Sequence, residues 1–233
     1  METPVKSWIF CILIVGTASS AAAQVGYPPD RSPYKDREYN RDWTFFGGQF
    51  NAEKDPLGVA PTDGPMAGVR WQMHLTGPAY FGLRLAGAAV DRTIIDPTKL
   101  VAERVIGTET VPMVFADAGL ELSLTGHKTW RGFAPFLNGG VGVVADLRGR
   151  NDVGSYRFGM PFTMTIGTGL SYAVSRNMSV RFDWSHYIYR ISYPTTYYLK
   201  TTEDPAVLPV GASRSFWRRN PALLIGVSLF KPR

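Results

Sequence analysis

The chain has 233 residues, enough for one domain of barrel or sandwich size. Its formal net charge is +6, with 25 Lys and Arg interleaved among 19 Asp and Glu, a pattern that argues against nucleic-acid binding. A single cysteine, Cys11, excludes a disulfide framework and thiolate metal sites.

Residues 1–23 read as a secretory signal peptide. Lys6 and the amino terminus give a positive start, residues 8–15 are unbroken apolar, and Ala21-Ala22-Ala23 precedes Gln24 as a small-residue cleavage site. The apolar core is far shorter than the roughly 20 residues of a membrane-spanning helix. Cleavage would discard Cys11 and leave about 210 residues without a thiol, which suits an oxidising compartment. Beyond the leader there is no run of 18 apolar residues, so no transmembrane helix is expected. Residues 24–42 are polar and carry Pro28, Pro29 and Pro33. They read as an extended, mobile arm that Tyr27 or Tyr34 could dock.

From Trp43 onward the chain shows eight long segments with a period of two, the signal of β-strands. They fall at about 43–52, 66–76, 80–90, 111–125, 131–145, 158–172, 178–189 and 216–230. In the second, Val69, Trp71, Met73 and Leu75 alternate with Arg70, Gln72 and His74. In the seventh, Val180, Phe182 and Trp184 alternate with Arg181, Asp183 and Ser185. The fifth sets Phe133, Pro135, Leu137, Gly139, Val141 and Val143 on one face, with smaller residues opposite. Its interior glycines would each cost a helix roughly 1 kcal/mol. These segments exceed the usual 5–6 residues of soluble strands and reach the 9–11 of transmembrane strands.

The connections alternate in length. Gly77-Pro78, residues 126–129 and residues 173–177 are hairpin-sized. The links between them are longer and hold Asp63-Gly64, Asp96-Pro97, Asn151-Asp152 and Asp204-Pro205. Short turns at one end and long loops at the other are the pattern of membrane barrels, and a soluble sandwich has no reason to keep it.

With this strand count, loop alternation, Gly-rich segment 136–142 and near-terminal Phe230, the chain resembles the small eight-stranded outer-membrane β-barrel proteins, such as the transmembrane domain of outer membrane protein A. The resemblance covers residues 43–230 and implies an all-β, closed, antiparallel eight-stranded transmembrane barrel in a bacterial outer membrane. It implies termini and short turns on the periplasmic side, long extracellular loops, contact with outer-membrane lipid, and passage through the barrel assembly machinery. Members of that group usually end on the aromatic residue, whereas Lys231-Pro232-Arg233 follow Phe230 here. Parity also puts Phe230 on the face opposite Leu229 and Val227, which leaves the register of the last strand open. The domain boundaries expected are 1–23 leader, 24–42 arm and 43–233 barrel.

Arg70, Arg84, Asp117, Glu121, Arg181 and Asp183 share the small-residue face, three positive and three negative. A lipid-facing Arg at mid-membrane costs roughly 2–4 kcal/mol, so these charges should point inward. The lumen of eight strands is only wide enough for side chains to fill. The charges should therefore pair, since an unpaired buried charge is far more costly. This predicts an ion-paired plug, with a gated ion path as the alternative. Register around Gly77 places Arg70 and Arg84 at similar heights, with Glu121 near them as the expected partner of Arg84. Register around residues 173–177 places Arg181 and Asp183 opposite Gly169 and Gly167.

Catalytic chemistry has little to build on. Ser185-His186 are adjacent and must face opposite sides of a regular strand. His127 falls in a short turn, and His74 lies on the inward face near the turn end. No carboxylate cluster or His-x-x-x-His pair suggests a metal, and no cofactor is expected. Aromatic residues near the strand ends, among them Tyr80, Trp130, Phe133 and Tyr172 at one end and Tyr156, Tyr187, Tyr189 and Trp217 at the other, suggest interface belts. The expected role is structural or surface-interacting, with any extracellular ligand held by the loops. Alternatives are a narrow solute channel, a lipid-modifying enzyme or a soluble lipocalin-like carrier.

Overall fold

The computed structural model describes residues 32–37, 39–148, 152–200, 205–209 and 211–230. The expected signal peptide, Tyr27 and the Lys231-Pro232-Arg233 tail lie outside the described residues. Among the described residues no helix is long and apolar enough to cross a membrane, and the architecture is carried by strands. In chain order these are β1 (Tyr34–Asp36), β2 (Arg41–Phe50), β3 (Gly64–Thr76), β4 (Ala79–Ile95), β5 (Val105–Ser123), β6 (Lys128–Trp130), β7 (Phe133–Asp146), β8 (Phe162–Ala173), β9 (Met178–Ser192) and β10 (Ser215–Phe230).

The eight long strands pair antiparallel with their neighbours, and β10 closes on β2, from Ala222 opposite Phe50 to Phe230 opposite Asp42. Closure leaves the long strands no free edge along their paired lengths. Parity follows the alternation in the sequence. Trp43, Phe45, Leu85, Val141, Phe182, Ile225 and their row-mates point outward and are exposed, while Thr44, Arg84, Gly140, Asp183 and Gly226 lie on the inward side. The outer wall is thus apolar.

The short strands correct two expectations. The arm is not wholly free: Tyr34–Asp36 pairs with Lys128–Trp130 beneath the short-turn end. The turn expected at 126–129 is longer, because Lys128–Trp130 forms β6 and a two-residue hairpin follows it. Arg131 and Gly132 both take positive φ, 50° and 87°, as a type I′ turn requires. The fifth long strand therefore begins at Phe133 and not at Arg131. β4 and β5 extend past the expected limits, to Ile95 opposite Val105, as a hairpin that rises above its neighbours. Their outer portions carry Asp91, Arg92 and Thr110, and the plain apolar alternation fades there.

Phe230 settles the last strand. It points inward and stacks on Tyr39, with centroids 3.8 Å apart and 14° between planes. The aromatic end of β10 thus closes the barrel floor beside the arm.

Inside, the lumen is layered. The half toward the short turns holds the six charged plug residues, while Arg218, buried on the inward face of β10, lies in the loop half opposite Tyr189. The half toward the long loops is an apolar core that includes Phe50, Met66, Met113, Phe115, Tyr187 and Leu224. The expected plug is thus joined by an upper apolar core that the sequence reading did not include. Tyr80, Tyr156, Tyr187 and Tyr189 are buried inward and form no outer belt. Trp130, Phe133, Tyr172 and Trp217 are exposed as expected, and Trp43, Phe162 and Trp184 are exposed with them.

One glycine shows how tightly the wall is fitted. Gly169 lies opposite Phe136 on β7 and Asp183 on β9. A Cβ there would collide with the Phe136 ring and the Phe182 carbonyl. That ring supports the Arg181 guanidinium at 3.7 Å. Gly169→Val should therefore displace Phe136 and destabilise the barrel by about 1–3 kcal/mol through overpacking. Urea unfolding in detergent reads this directly, and an unchanged midpoint would contradict the packing described.

Candidate functional site

The plug is built by register. β3 and β4 place Arg70 directly opposite Arg84, a like-charge pair that needs carboxylates nearby. β4 and β5 place Arg84 opposite Asp117, and Arg84 Nε donates to Asp117 Oδ2 at 2.8 Å. Its Nη1 donates to Ser185 Oγ at 3.3 Å, and its guanidinium lies 4.9 Å from the Tyr187 ring centre. Arg70 donates to Asp183 Oδ1 at 3.3 Å through both terminal nitrogens and stands 3.7 Å from Glu121.

Arg181 is the centre of the second group. Its Nε donates to Asp183 Oδ2 at 2.7 Å, its Nη2 binds Glu121 Oε2, and its Nη1 donates to Gln72 Oε1 at 3.0 Å. Gln72 Nε2 in turn donates to Glu121 Oε2 at 2.9 Å. Arg70, Arg84, Glu121, Arg181 and Asp183 are all buried, and the Asp117 side chain is largely covered.

Two details differ from expectation. Arg84 and Glu121 are not partners: Glu121 sits opposite Tyr80, four residues along β5 from Asp117, and is reached across the lumen by Arg181. Arg181 and Asp183 lie opposite Ser171 and Gly169, because the β8–β9 turn pairs Ala173 with Ser179 and moves the register by two residues. Sequence reading also missed Asp42, which is buried beside Thr44 at the floor. The alternation Asp42, Thr44, Phe46 carried that signal, but the strand was started one residue too late to include it.

Among the plug residues a cavity of only about 30 Å³ remains, lined by Arg70, Gln72, Arg84, Asp117, Glu121, Asn138 and Thr165. That is room for about one water molecule.

Above the lumen the long loops pack over a core of their own, Val59, Ile95, Tyr156, Tyr193, Tyr197 and Leu208. Tyr193 OH donates to Asp55 Oδ2 at 2.6 Å, and Asp55 also accepts the backbone N–H groups of Leu57 and Ala60. Burial, with the Asp55 carboxylate beside it, raises the Tyr193 pKa well above its ordinary range. Arg92 bridges Asp152 at 3.2 Å and Glu109 at 3.4 Å, tying the third loop to the β4–β5 hairpin.

The histidines fall in two places, His186 on the outer wall and His74 with His127 at the short-turn end. Ser185 points inward to Arg84, while His186 points outward, within 3.1 Å of Arg219. His74 Nε2 lies 3.0 Å from the Gly77 carbonyl, and its ring centre is 4.1 Å from that of His127 with 30° between the planes. His127 Nδ1 is 2.9 Å from Tyr80 OH, and its carbonyl accepts the Arg37 N–H, so this turn residue is not simply solvated. Among the described residues no group of three His, Cys, Asp or Glu side chains is arranged to hold a metal ion.

No protein-family model matches the chain, and no curated relative matches it. Among solved structures, the outer membrane protein OprG from Pseudomonas aeruginosa is similar with a TM-score of 0.51 at 11% identity, over 84% of this chain and 98% of that one. Neisserial surface protein A is similar with a TM-score of 0.49 at 13% identity, over 86% and 98%. The fold is that of a small outer-membrane barrel. In that fold the charged plug occupies the half of the lumen beside the short turns, and the packed loops cap the other mouth.

The plug geometry predicts unequal couplings. Removing Glu121 leaves Arg181 and Arg70 short of a carboxylate, and breaking a buried pair typically costs about 3–5 kcal/mol. In unfolding cycles, Glu121→Ala with Arg181→Ala should show strong coupling. Glu121→Ala with Arg84→Ala should be nearly additive, because their direct partners differ. Equal couplings would contradict the two-group arrangement.

The turn beneath the barrel carries a pH prediction. Burial first, and His74 second, lower the His127 pKa below its ordinary value of 6.5. The unfolded state thus takes up the proton first, so this contribution is present above about pH 6.5 and is lost as pH falls. Proteolysis of the arm at Lys35 and Arg37 should quicken from about pH 7 to 5, and His127→Phe should remove that dependence. An unchanged rate in the parent would count against the docking.

Proposed function

We propose that this chain is an outer-membrane barrel with a closed lumen, acting at the cell surface through its loop cap, with residues 1–23 directing export. The observation that carries this reading is the filling of the lumen above a cavity of about 900 Å³ that opens at the short-turn mouth beside Tyr39, Ser171, Ser179 and Phe230. Ion pairs occupy the lower half, an apolar core the upper half, and the loops close the mouth. The apolar outer wall suits a lipid surroundings, and a soluble lipocalin-like carrier would need the reverse. Lipid would be its surrounding partner and the barrel assembly machinery its route of insertion. Any ligand would meet the cap.

A lipid-modifying enzyme is the less favoured reading, because Ser185 and His186 face opposite sides of β9 and Ser185 accepts a hydrogen bond from Arg84. A solute channel is less favoured because the remaining lumenal space at the plug holds about one water.

Fractionation and heat-modifiable gel mobility test the location, and planar bilayers test the closed lumen. The parent protein should insert and show no steady conductance. Paired removal of Glu121 and Asp183 side chains should introduce brief openings as the plug loosens. A steady conductance from the parent would replace this reading with the channel.

A further inference from the structure

The outer wall carries one unexplained feature. Along the long strands, inward positions hold the charges and outward positions are nearly all apolar. Arg190 and Arg219 are exceptions: both are exposed on the outward face near the loop end of β9 and β10. Arg190 pairs across the ladder with Trp217, and Arg219 with Ile188. The two arginines are therefore diagonal neighbours, with Cα atoms about 7–8 Å apart. Like charges so placed repel unless an anion lies between them. Neither forms an ion pair with a carboxylate among the described residues. Arg190 reaches Ser215 Oγ, and Arg219 lies against His186.

Their height is set by the strand. From Leu229 at the short-turn end to Arg219 is ten residues of β10. At about 3.3 Å per residue and a tilt near 45°, that climbs about 23 Å. An apolar band is about 25 Å tall, so both guanidinium groups reach its upper boundary, where an outward Arg costs about 0–1 kcal/mol. Trp217, 54% exposed and opposite Arg190, stands beside them as interface residues do, and Trp184 lies lower on the wall, opposite Leu223.

We infer that Arg190 and Arg219 form a binding site for the phosphate group of an outer-leaflet glycolipid. The guanidinium fork matches phosphate oxygens in a bidentate manner, and two forks on one face can share one phosphate. Ser215 adds a hydroxyl donor beside Arg190. Trp217 and Trp184 supply apolar surface for the sugar face and the first acyl carbons. The inference rests on the membrane reading above, because it needs this wall to face lipid.

The test uses the full chain in phosphatidylcholine nanodiscs, with bisphosphorylated lipid A as the probe and retention read by native mass spectrometry. The parent should retain lipid A at least tenfold better than the variant R190Q/R219Q. Dephosphorylated lipid A should bind as weakly to the parent as the phosphorylated form does to that variant. R190K/R219K should recover part of the affinity, since it keeps charge but loses the fork. R41Q, an outward cation at the opposite end, should behave as the parent. Excess inorganic phosphate should displace little lipid, because it lacks the chain contacts. Equal retention by parent and R190Q/R219Q, or full displacement by inorganic phosphate, would overturn the site. Heat-modifiable mobility measured on the same samples separates that result from a failure to insert, which would instead remove the membrane reading.

Discussion

An eight-stranded barrel encloses a lumen only as wide as the side chains that point into it. Every second residue of each strand must therefore pack against residues from across the barrel, as in a protein core. Apolar residues cannot supply that contact alone here, because the outward face has already taken most of them. The inward face receives charges, and charges in a space of low dielectric must be matched. Three arginines and three acidic residues meet that condition, and Arg181 does so by reaching two carboxylates and the Phe136 ring at once. Gly169 is small because Phe136 must lie over it. The charge network and the glycine pattern thus follow from one limit on diameter.

The same limit explains why the lumen changes character along its axis. Residues near the short turns are close to strand ends and to the arm, where polar groups find partners such as Tyr80, His127 and Arg37. Residues toward the long loops are covered by the cap and cannot rely on water. There most inward positions are apolar or aromatic, such as Phe115, Met113 and Tyr187, with Thr163, Arg218 and Asn220 buried among them. Arg84 bridges the two halves, bonded to Asp117 below and stacked on Tyr187 above.

The barrel was legible because period-two alternation is a local signal and each long strand carries its own copy. The inward set of charges was legible for the same reason. Pairing was less so, because a partner depends on register between strands, and a turn placed one residue later along the chain moves it by two. Thus Asp117, and not Glu121, meets Arg84, although both lie on the correct face of β5. The upper apolar core was hidden in plain alternation: Tyr187 and Tyr189 near a strand end look like interface residues until the cap above them is known. The arm and its docking through Tyr34 were legible, but its pairing with β6 was not, because three-residue strands carry too little pattern to be read.

β9 shows how these layers become one unit. Its inward side runs Arg181, Asp183, Ser185, Tyr187, Tyr189 and Ile191, and Tyr193 follows just past its end. The first three belong to the plug, the next three to the upper core, and Tyr193 to the cap. Tyr193 then holds Asp55 of the first long loop, which organises Leu57 and Ala60 around its carboxylate. The cap is therefore anchored on a strand whose other end is fixed by buried ion pairs. Loops built this way are ordered before any ligand arrives, and a preformed surface loses less conformational entropy on binding than free loops would. The ion-paired, tightly packed part of the lumen is thus the stem on which the described part of the loop cap is held.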